Sequence, residues 1–359
     1  MTRSLEDHLR ARIAAEGPLS LETVMGEANA AYYARGDVLG AAGDFITAPE
    51  ISQVFGELIG LWMAVTWQAM GAPDRVCLVE CGPGRGTLMA DLLRALAPVP
   101  PFRRALDIHL VETSPTLRAR QRDTLADVAI TWHDTLDSVP DDRPLLLVAN
   151  EFVDALPIRQ VVKRGADWRL RRVGLDPARD ALAFVDGETV PADDLAPEVR
   201  DSAPDGAIAE INSAGRAFAA AVGARLVARG GAALLIDYGH ARAAAGDTLQ
   251  AVRRHRFHPV LSDLGDADLT AHVDFQSLAE AAREAGATAH GPVEQGEWLM
   301  SLGVEARAAM LRAGAAPNQN EMIRQAVRRL IDPSEMGRLF KAFAMTAPGV
   351  ASPAGFDGT

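Results

Sequence analysis

Cysteine is almost missing from the sequence: 359 residues contain two, Cys77 and Cys81. If both lie on one strand, four residues at ~3.3 Å each separate them by roughly 13 Å. A disulfide needs Cα atoms within about 7 Å. The pair therefore reads as two thiols, which points to a reducing compartment. Long apolar runs are missing too. The longest, Ile51 to Met70, is broken by Gln53, Glu57, Gln68 and two glycines. A bilayer core tolerates these poorly, so a buried helix is expected rather than a membrane span. The first seventeen residues mix Glu6, Asp7 and Glu16 with arginines. They hold no apolar stretch of the kind a secretory signal carries, so none is expected. Positive charge is in deficit, with a formal net charge of -12. This disfavours a nucleic-acid partner despite the local run Arg253-Arg254-His255-Arg256, and it suits a basic partner. His255, His258, Asp263 and His272 show no regular ligand spacing, so no metal site is expected. The sequence carries no internal repeat and no low-complexity tract.

What is present is a chain long enough to bury a large core. Residues 2–15 and 20–34 read as short amphipathic helices, residues 36–49 as a loop, and Pro49 as the first residue of a long helix to Met70. Short apolar strands follow at 76–80, 107–111, 128–132 and 144–149. Helices alternate with them, at 87–96 and after Ser114-Pro115. This rhythm predicts βαβ units and a parallel, doubly wound α/β sheet. A small antiparallel meander interrupts it over 158–186. A helix is expected over 208–229, then a strand at 232–236. Residues 240–272 are polar and weakly periodic, as in a functional loop or lid. Helices are expected at 275–285 and over 310–345, and a frayed tail from Pro348.

The first strand runs into Glu80-Cys81-Gly82-Pro83-Gly84-Arg85-Gly86. Two nucleotide-binding readings compete for this loop. A dinucleotide fingerprint needs G-x-G-x-x-G, but Thr87 stands where its third glycine belongs. A pyrophosphate also needs helix-N-terminal N–H groups without a carboxylate beside them. Glu80 is such a carboxylate. It suits a cationic ligand, and S-adenosylmethionine carries a sulfonium and an ammonium. Gly82, Gly84 and Gly86 leave room for backbone to approach that cofactor. Glu112, ending the next strand, is placed to accept two ribose hydroxyls. His133-Asp134, after strand three, is placed near an adenine amino group.

Asn150-Glu151-Phe152-Val153-Asp154 follows strand four. In a doubly wound sheet, chemistry sits beyond the strand ends at the switch point, here between strands one and four. The [D/N/S]-P-P-[F/Y/W] tetrad of nucleobase-amine methyltransferases is absent. Glu151 and Asp154 instead suit a guanidinium, which pairs bidentately with carboxylates. Asp237, in Asp237-Tyr238-Gly239, is a secondary candidate for the same catalytic rim.

These segments together resemble the MidA family, which includes a mitochondrial complex I assembly factor that methylates arginine. The matching stretches are G-D-F-I-T-A-P-E-I-S-Q-V-F-G-E-L-I-G (43–60), V-E-C-G-P-G-R-G-T-L (79–88), V-E-T-S-P (111–115), A-N-E-F-V-D-A-L-P (149–157), I-D-Y-G-H (236–240) and A-D-L-T-A-H-V-D-F (267–275). Cys81 departs from the leucine expected there. The resemblance implies a Rossmann-like class I methyltransferase core over 74–300, with insertions at about 158–205 and 240–272. It adds an N-terminal helical region (1–73), C-terminal helices (301–347) and a flexible tail (348–359). It adds Asp44, Thr47, Pro49 and Glu50 to the pocket, and Ser114 and Asn150 to the cofactor set. It implies S-adenosyl-L-methionine as cofactor and a protein substrate with an exposed arginine, a 49-kDa-type subunit of NADH dehydrogenase. The expected compartment is the cytoplasm in a bacterium and the mitochondrial matrix in a eukaryote. A homodimer is left open. A non-catalytic assembly protein and a nicotinamide oxidoreductase are the competing functions.

Overall fold

A computed structural model describes residues 4–36, 47–253 and 256–357. Seven strands build its central sheet in chain order: β1 (Val76–Cys81), β2 (Leu106–Val111), β3 (Ile130–His133), β4 (Leu145–Asn150), β5 (Gly231–His240), β6 (Thr288–Glu294) and β7 (Phe340–Thr346). Their spatial order is β6-β7-β5-β4-β1-β2-β3, with the short strand Val273–Asp274 beside the end of β5. Strands β1 to β5 are parallel. Strand β7 runs antiparallel to both β5 and β6. Because β1 and β4 are neighbours, the chain leaves them in opposite directions and opens a crevice past their C-terminal ends.

Alternation along the strands sends successive residues to opposite faces. Leu78, Leu146, Leu234 and Ala342 enter one core, and Cys77, Val79, Leu147, Leu235 and Phe343 the other. Both faces are therefore apolar, as a helix-covered parallel sheet requires. The longer helices are α1 (Leu5–Glu16), α2 (Leu21–Ala34), α3 (Gln53–Ala69), α4 (Thr87–Ala95), α5 (Pro115–Thr124), α6 (Ser213–Arg229), α7 (Phe275–Glu284), α8 (Val304–Ala313) and α9 (Pro317–Ile331), with shorter helical segments between them. Helices α3 and α4 cover the first face and α6 and α7 the second. Gly56 and Gly60, one turn apart on α3, allow close approach to α4. A Cβ on either would come within 2.6 Å of Asp91 or Leu92. Ser4 and Ser20 cap α1 and α2 by accepting from the backbone nitrogens of Asp7 and Thr23. These two helices share a third core with the strand Asp268–Thr270.

The structure departs from the sequence expectations in several places. The helix expected over 49–70 is broken at Ser52, whose extended backbone (φ -156°) separates a turn at Ala48–Ile51 from α3. Residues 37–46 of the expected loop, with Asp44, lie outside the described residues. Ile208–Ile211, expected as the start of a helix, is a strand. It joins the meander of Arg159–Arg164, Asp167–Asp176 and Ala181–Val190, which Leu19–Ser20 also joins, as a five-stranded sheet. Residues 240–272 are not an open loop. They contain a three-stranded sheet of Gln250–Arg253, Arg256–His258 and Asp268–Thr270. Residues 340–346, expected as helix, form β7 inside the central sheet, and β6 was not expected. The tail is not frayed at Phe356, which is fully buried. Its ring lies against Trp298, and Ala354 accepts a hydrogen bond from the Trp62 indole at 3.0 Å.

Candidate active site

The crevice past β1 and β4 deepens into a cavity of about 410 Å³, within the range of small-ligand pockets. Thr47, Pro49 and Glu50, the glycine loop, Glu112, Asp134, Asn150 and Glu151 line it. The residues expected from the first, second and fourth strand ends thus meet in one place.

Glu80 ends the apolar run of β1 and is 2% exposed. Its Oε2 has no hydrogen-bond partner among the described residues, and burial pushes its carboxyl up to about 8. A buried acceptor without a donor is costly. A positive ligand group in the cavity would supply what Glu80 lacks. After it, Gly82, Gly84 and Gly86 all take left-handed backbone angles (φ +66°, +52° and +81°). A Cβ on Gly82 would stand 2.9 Å from the ring of Phe152. Gly86 closes the turn, donating to the Pro83 carbonyl at 2.8 Å. It opens α4 from behind the loop and is not part of the cavity wall.

On β2, Glu112 is held at both oxygens. Its Oε1 accepts from the Ser114 nitrogen at 2.8 Å and its Oε2 from Gln121 Nε2 at 3.3 Å. Burial raises its carboxyl, against the pull of those donors. Ser114 does not face the cavity. Its hydroxyl donates to the Tyr33 carbonyl at 2.8 Å, fastening α2 to this corner. His133 is also turned away, with Nε2 2.9 Å from His109 Nδ1 and Nδ1 3.1 Å from the Ser138 hydroxyl. Asp134 lines the cavity, paired with Arg118 at 2.7 Å.

After β4, Glu151 takes a left-handed conformation (φ +50°), unusual for a side chain of its size. Its Oε1 accepts from the Ala48 nitrogen at 2.9 Å and from Asn150 Nδ2 at 3.1 Å. Burial pushes its carboxyl up to about 7. Asn150 Oδ1 is buried without a partner among the described residues. Asp154 is 6% exposed and lies behind the cavity wall, its carboxyl pushed up to about 6 by burial. Asp237 is likewise behind the wall. Its Oδ2 accepts from the nitrogens of Phe152, Val153 and Asp154 at 3.2, 2.9 and 3.2 Å, and its Oδ1 from Tyr238 at 2.9 Å. Asp237 therefore shapes the loop instead of touching a ligand. Burial and the neighbouring Asp154 push its carboxyl up, against those donors.

The N-terminal segment completes the wall. Glu50 Oε1 accepts from the Thr87 hydroxyl at 2.5 Å, and Arg85 approaches its other oxygen at 3.8 Å. Sequence reasoning missed Asn29, Ala30 and Tyr33 of α2, and Phe152 and Phe218, whose rings lie 5.2 Å apart. It also missed Gln121. Nothing in the local pattern singles these out, because their positions follow from how α2, α5, α6 and the loop after β4 come together. Among the described residues, the cavity lining holds five acids, Glu50, Glu80, Glu112, Asp134 and Glu151, and one arginine, Arg85. That balance fits a cationic ligand and disfavours a pyrophosphate, so the dinucleotide alternative does not fit.

Residues 58–293 match a family described as "Putative S-adenosyl-L-methionine-dependent methyltransferase". The chain is similar to the protein arginine methyltransferase NDUFAF7 homolog, mitochondrial, of Drosophila melanogaster. The two are 36% identical over 385 residues, covering 97% of this chain and 85% of that one. It is 37% identical to the Mus musculus protein arginine methyltransferase NDUFAF7, mitochondrial, over 94% of this chain and 83% of the relative. A crystal structure from Burkholderia thailandensis with S-adenosyl-homocysteine bound superposes with a TM-score of 0.84. It shares 31% identity and covers 99% of this chain and 94% of that one.

Proposed function

This chain belongs to that S-adenosyl-L-methionine-dependent methyltransferase family, and from that premise we propose that it methylates an arginine nitrogen of a protein substrate. The observation that carries the reading is the acidic cavity. Its two carboxyls at the switch point, Glu80 and Glu151, stand at the ends of adjacent strands.

The cofactor supplies an electrophilic methyl group on a sulfonium. The chain's own residues supply the rest. Glu80 would give its buried carboxylate to the positive methionine end, and the backbone at Gly82 and Gly84 would line that end without Cβ atoms. Glu112 would accept from the ribose hydroxyls, and Asp134 from the adenine amino group. Phe152, Phe218, Leu117 and Leu136 add apolar lining that would exclude water from the bound cofactor. Thr47, Pro49 and Glu50 wall the cavity from the N-terminal side. Glu151 faces the acceptor. A guanidinium offers paired N–H donors to a carboxylate, and Asn150 Oδ1 adds a further acceptor. Held there, one nitrogen is oriented for in-line attack. A carboxyl poised near 7 is suited to take the proton which that nitrogen loses.

The substrate we propose is a 49-kDa-type subunit of respiratory complex I, methylated during assembly. The compartment is that of complex I assembly: the mitochondrial matrix, or the cytoplasm of a bacterium. No helix among the described residues is long and apolar enough to cross a membrane.

The test is incubation of the protein with methyl-labelled cofactor and the purified subunit, followed by peptide mass spectrometry. Label on one arginine is the expected result. Stable binding of the subunit without any label would replace catalysis by an assembly role. Label on a different residue type would overturn the acceptor class.

A further inference from the structure

Gln121 sits in α5, where a glutamine among arginines and aspartates reads as part of a solvated face. It is instead fully buried. Both ends of its amide are used, and each partner belongs to a different part of the site. Its Nε2 donates to the Gly84 carbonyl at 2.7 Å and to Glu112 Oε2 at 3.3 Å, and its Oε1 accepts from the Trp132 indole at 2.8 Å. The glycine loop after β1, the acid after β2 and strand β3 thus meet on one side chain. We infer that Gln121 is a positioning residue which presents Glu112 to the ribose hydroxyls of the cofactor and locks that grip to the glycine loop. This rests on the reading of Glu112 as the ribose acceptor.

The chemistry needs an amide. Gly84 O and Glu112 Oε2 are acceptors only, and Trp132 Nε1 is a donor only. A primary amide serves all three from one fixed orientation. The Trp132 indole selects that orientation, because the reverse would set two donors against each other. A glutamate in this place would have no donor for Gly84 or Glu112 and would repel the latter. A methionine of similar volume would serve none of the three. With the Ser114 nitrogen on Oε1 and Gln121 on Oε2, both Glu112 oxygens are fixed in direction. Each keeps a lone pair for one of two neighbouring hydroxyls. A carboxylate held beforehand loses no further freedom when the ligand arrives, which is where a positioning residue contributes affinity.

A ligand pair that differs in one hydroxyl separates this role from mere packing. Calorimetry would compare S-adenosylhomocysteine with its 2′-deoxy form on the wild type, Gln121→Met and Gln121→Glu. Thermal unfolding would show which variants fold. The wild type is expected to favour the ribose form roughly tenfold or more, the worth of a charge-assisted hydrogen bond. In both variants the ribose form is expected to lose about tenfold and the deoxy form little, so that the preference collapses towards one. Trp132→Phe leaves Gln121 in place but frees its amide to turn. It is expected to lower the preference part of the way, and it decides the matter if both Gln121 variants fail to fold. Equal losses for the two ligands, with the preference intact in every folded variant, would overturn the inference. A wild type that binds both ligands equally would overturn the Glu112 reading itself, and this inference with it.

Discussion

The carboxylate of Asp237, in the last half of β5, accepts from the backbone nitrogen of Asp154 at 3.2 Å, although 83 residues separate them. The same oxygen takes the nitrogens of Phe152 and Val153. One buried carboxylate thereby sets the turn in which Glu151 adopts its left-handed conformation. The loop that carries Glu151 is held from the neighbouring strand, and not only by its own sequence.

Removing that anchor is expected to cost more stability than a typical substitution. Asp237→Ala leaves three loop nitrogens and that of Tyr238 without their acceptor in a buried site. The loss should reach about 3 kcal/mol. Asp237→Asn keeps one oxygen to accept and should lose less. Urea unfolding midpoints of the two variants against the wild type are the measurement. A loss below about 0.5 kcal/mol for the alanine variant, the level of an ordinary surface change, would show that the loop does not depend on Asp237.

The Glu80 carboxyl titrates at about 8 in the folded chain, against about 4.3 when unfolded. Its folded value is raised, so the folded state binds the proton more tightly. Its contribution is complete below the unfolded value and is lost as pH rises through the folded one. The ligand-free protein should therefore lose stability between pH 5 and 8. For this one group the slope approaches 1.4 kcal/mol per unit. Glu80→Gln should flatten the decline. A cationic ligand stabilises the ionised form, so its binding at pH 7 should release a proton, seen as a buffer-dependent calorimetric heat. The same decline in both proteins, with no proton release, would remove Glu80 from contact with the ligand's charge.

Glu80, Glu112 and Glu151 were legible in the sequence because each ends an apolar run and precedes a turn. In a parallel sheet the strand ends themselves mark the crevice. The roles of Asp237 and Ser114 were not legible. Both were expected at the site, yet their side chains are consumed by backbone partners that only the three-dimensional pairing brings near. The same contrast holds for the fold. Strands β1 to β4 come with local βαβ punctuation, whereas Phe340–Thr346 is a short apolar run among helices and carries no periodicity that decides its state. Its pairing with β5, about 100 residues earlier in the chain, makes it a strand.

Glu151→Gln should separate binding from chemistry. The variant keeps the shape and can still accept from the Ala48 nitrogen. It has no charge for a guanidinium and cannot take a proton. Cofactor affinity is expected to stay within about threefold, while the methyl-transfer rate falls at least about a hundredfold. In the wild type the rate should rise as pH passes about 7, where the Glu151 carboxyl ionises, and the variant should lose that limb. Single-turnover rates from pH 5.5 to 8.5 are the measurement. A matching loss of cofactor affinity would place Glu151 in the cofactor's half of the cavity instead.

Phe356 tests how far the fold depends on its last turn. The residue is fully buried, and its ring centre lies 6.4 Å from that of Trp298. Close by, the Ala354 carbonyl takes the Trp62 indole of α3, and a Cβ on Gly355 would stand 2.5 Å from the Trp298 ring. The tail thus joins α3 to the helical segment that carries Trp298, on the face of the sheet where α3 supports α4 and, through it, the glycine loop. Phe356→Ala removes a large buried ring and is expected to cost 3–5 kcal/mol. Cofactor affinity at a temperature where the variant stays folded should change little, because no described residue of the tail lines the cavity. A variant as stable as the wild type would mean that the tail is not seated on Trp298. One that is stable yet binds cofactor poorly would mean that α3 transmits its packing to the loop more directly than the α3–α4 contact implies.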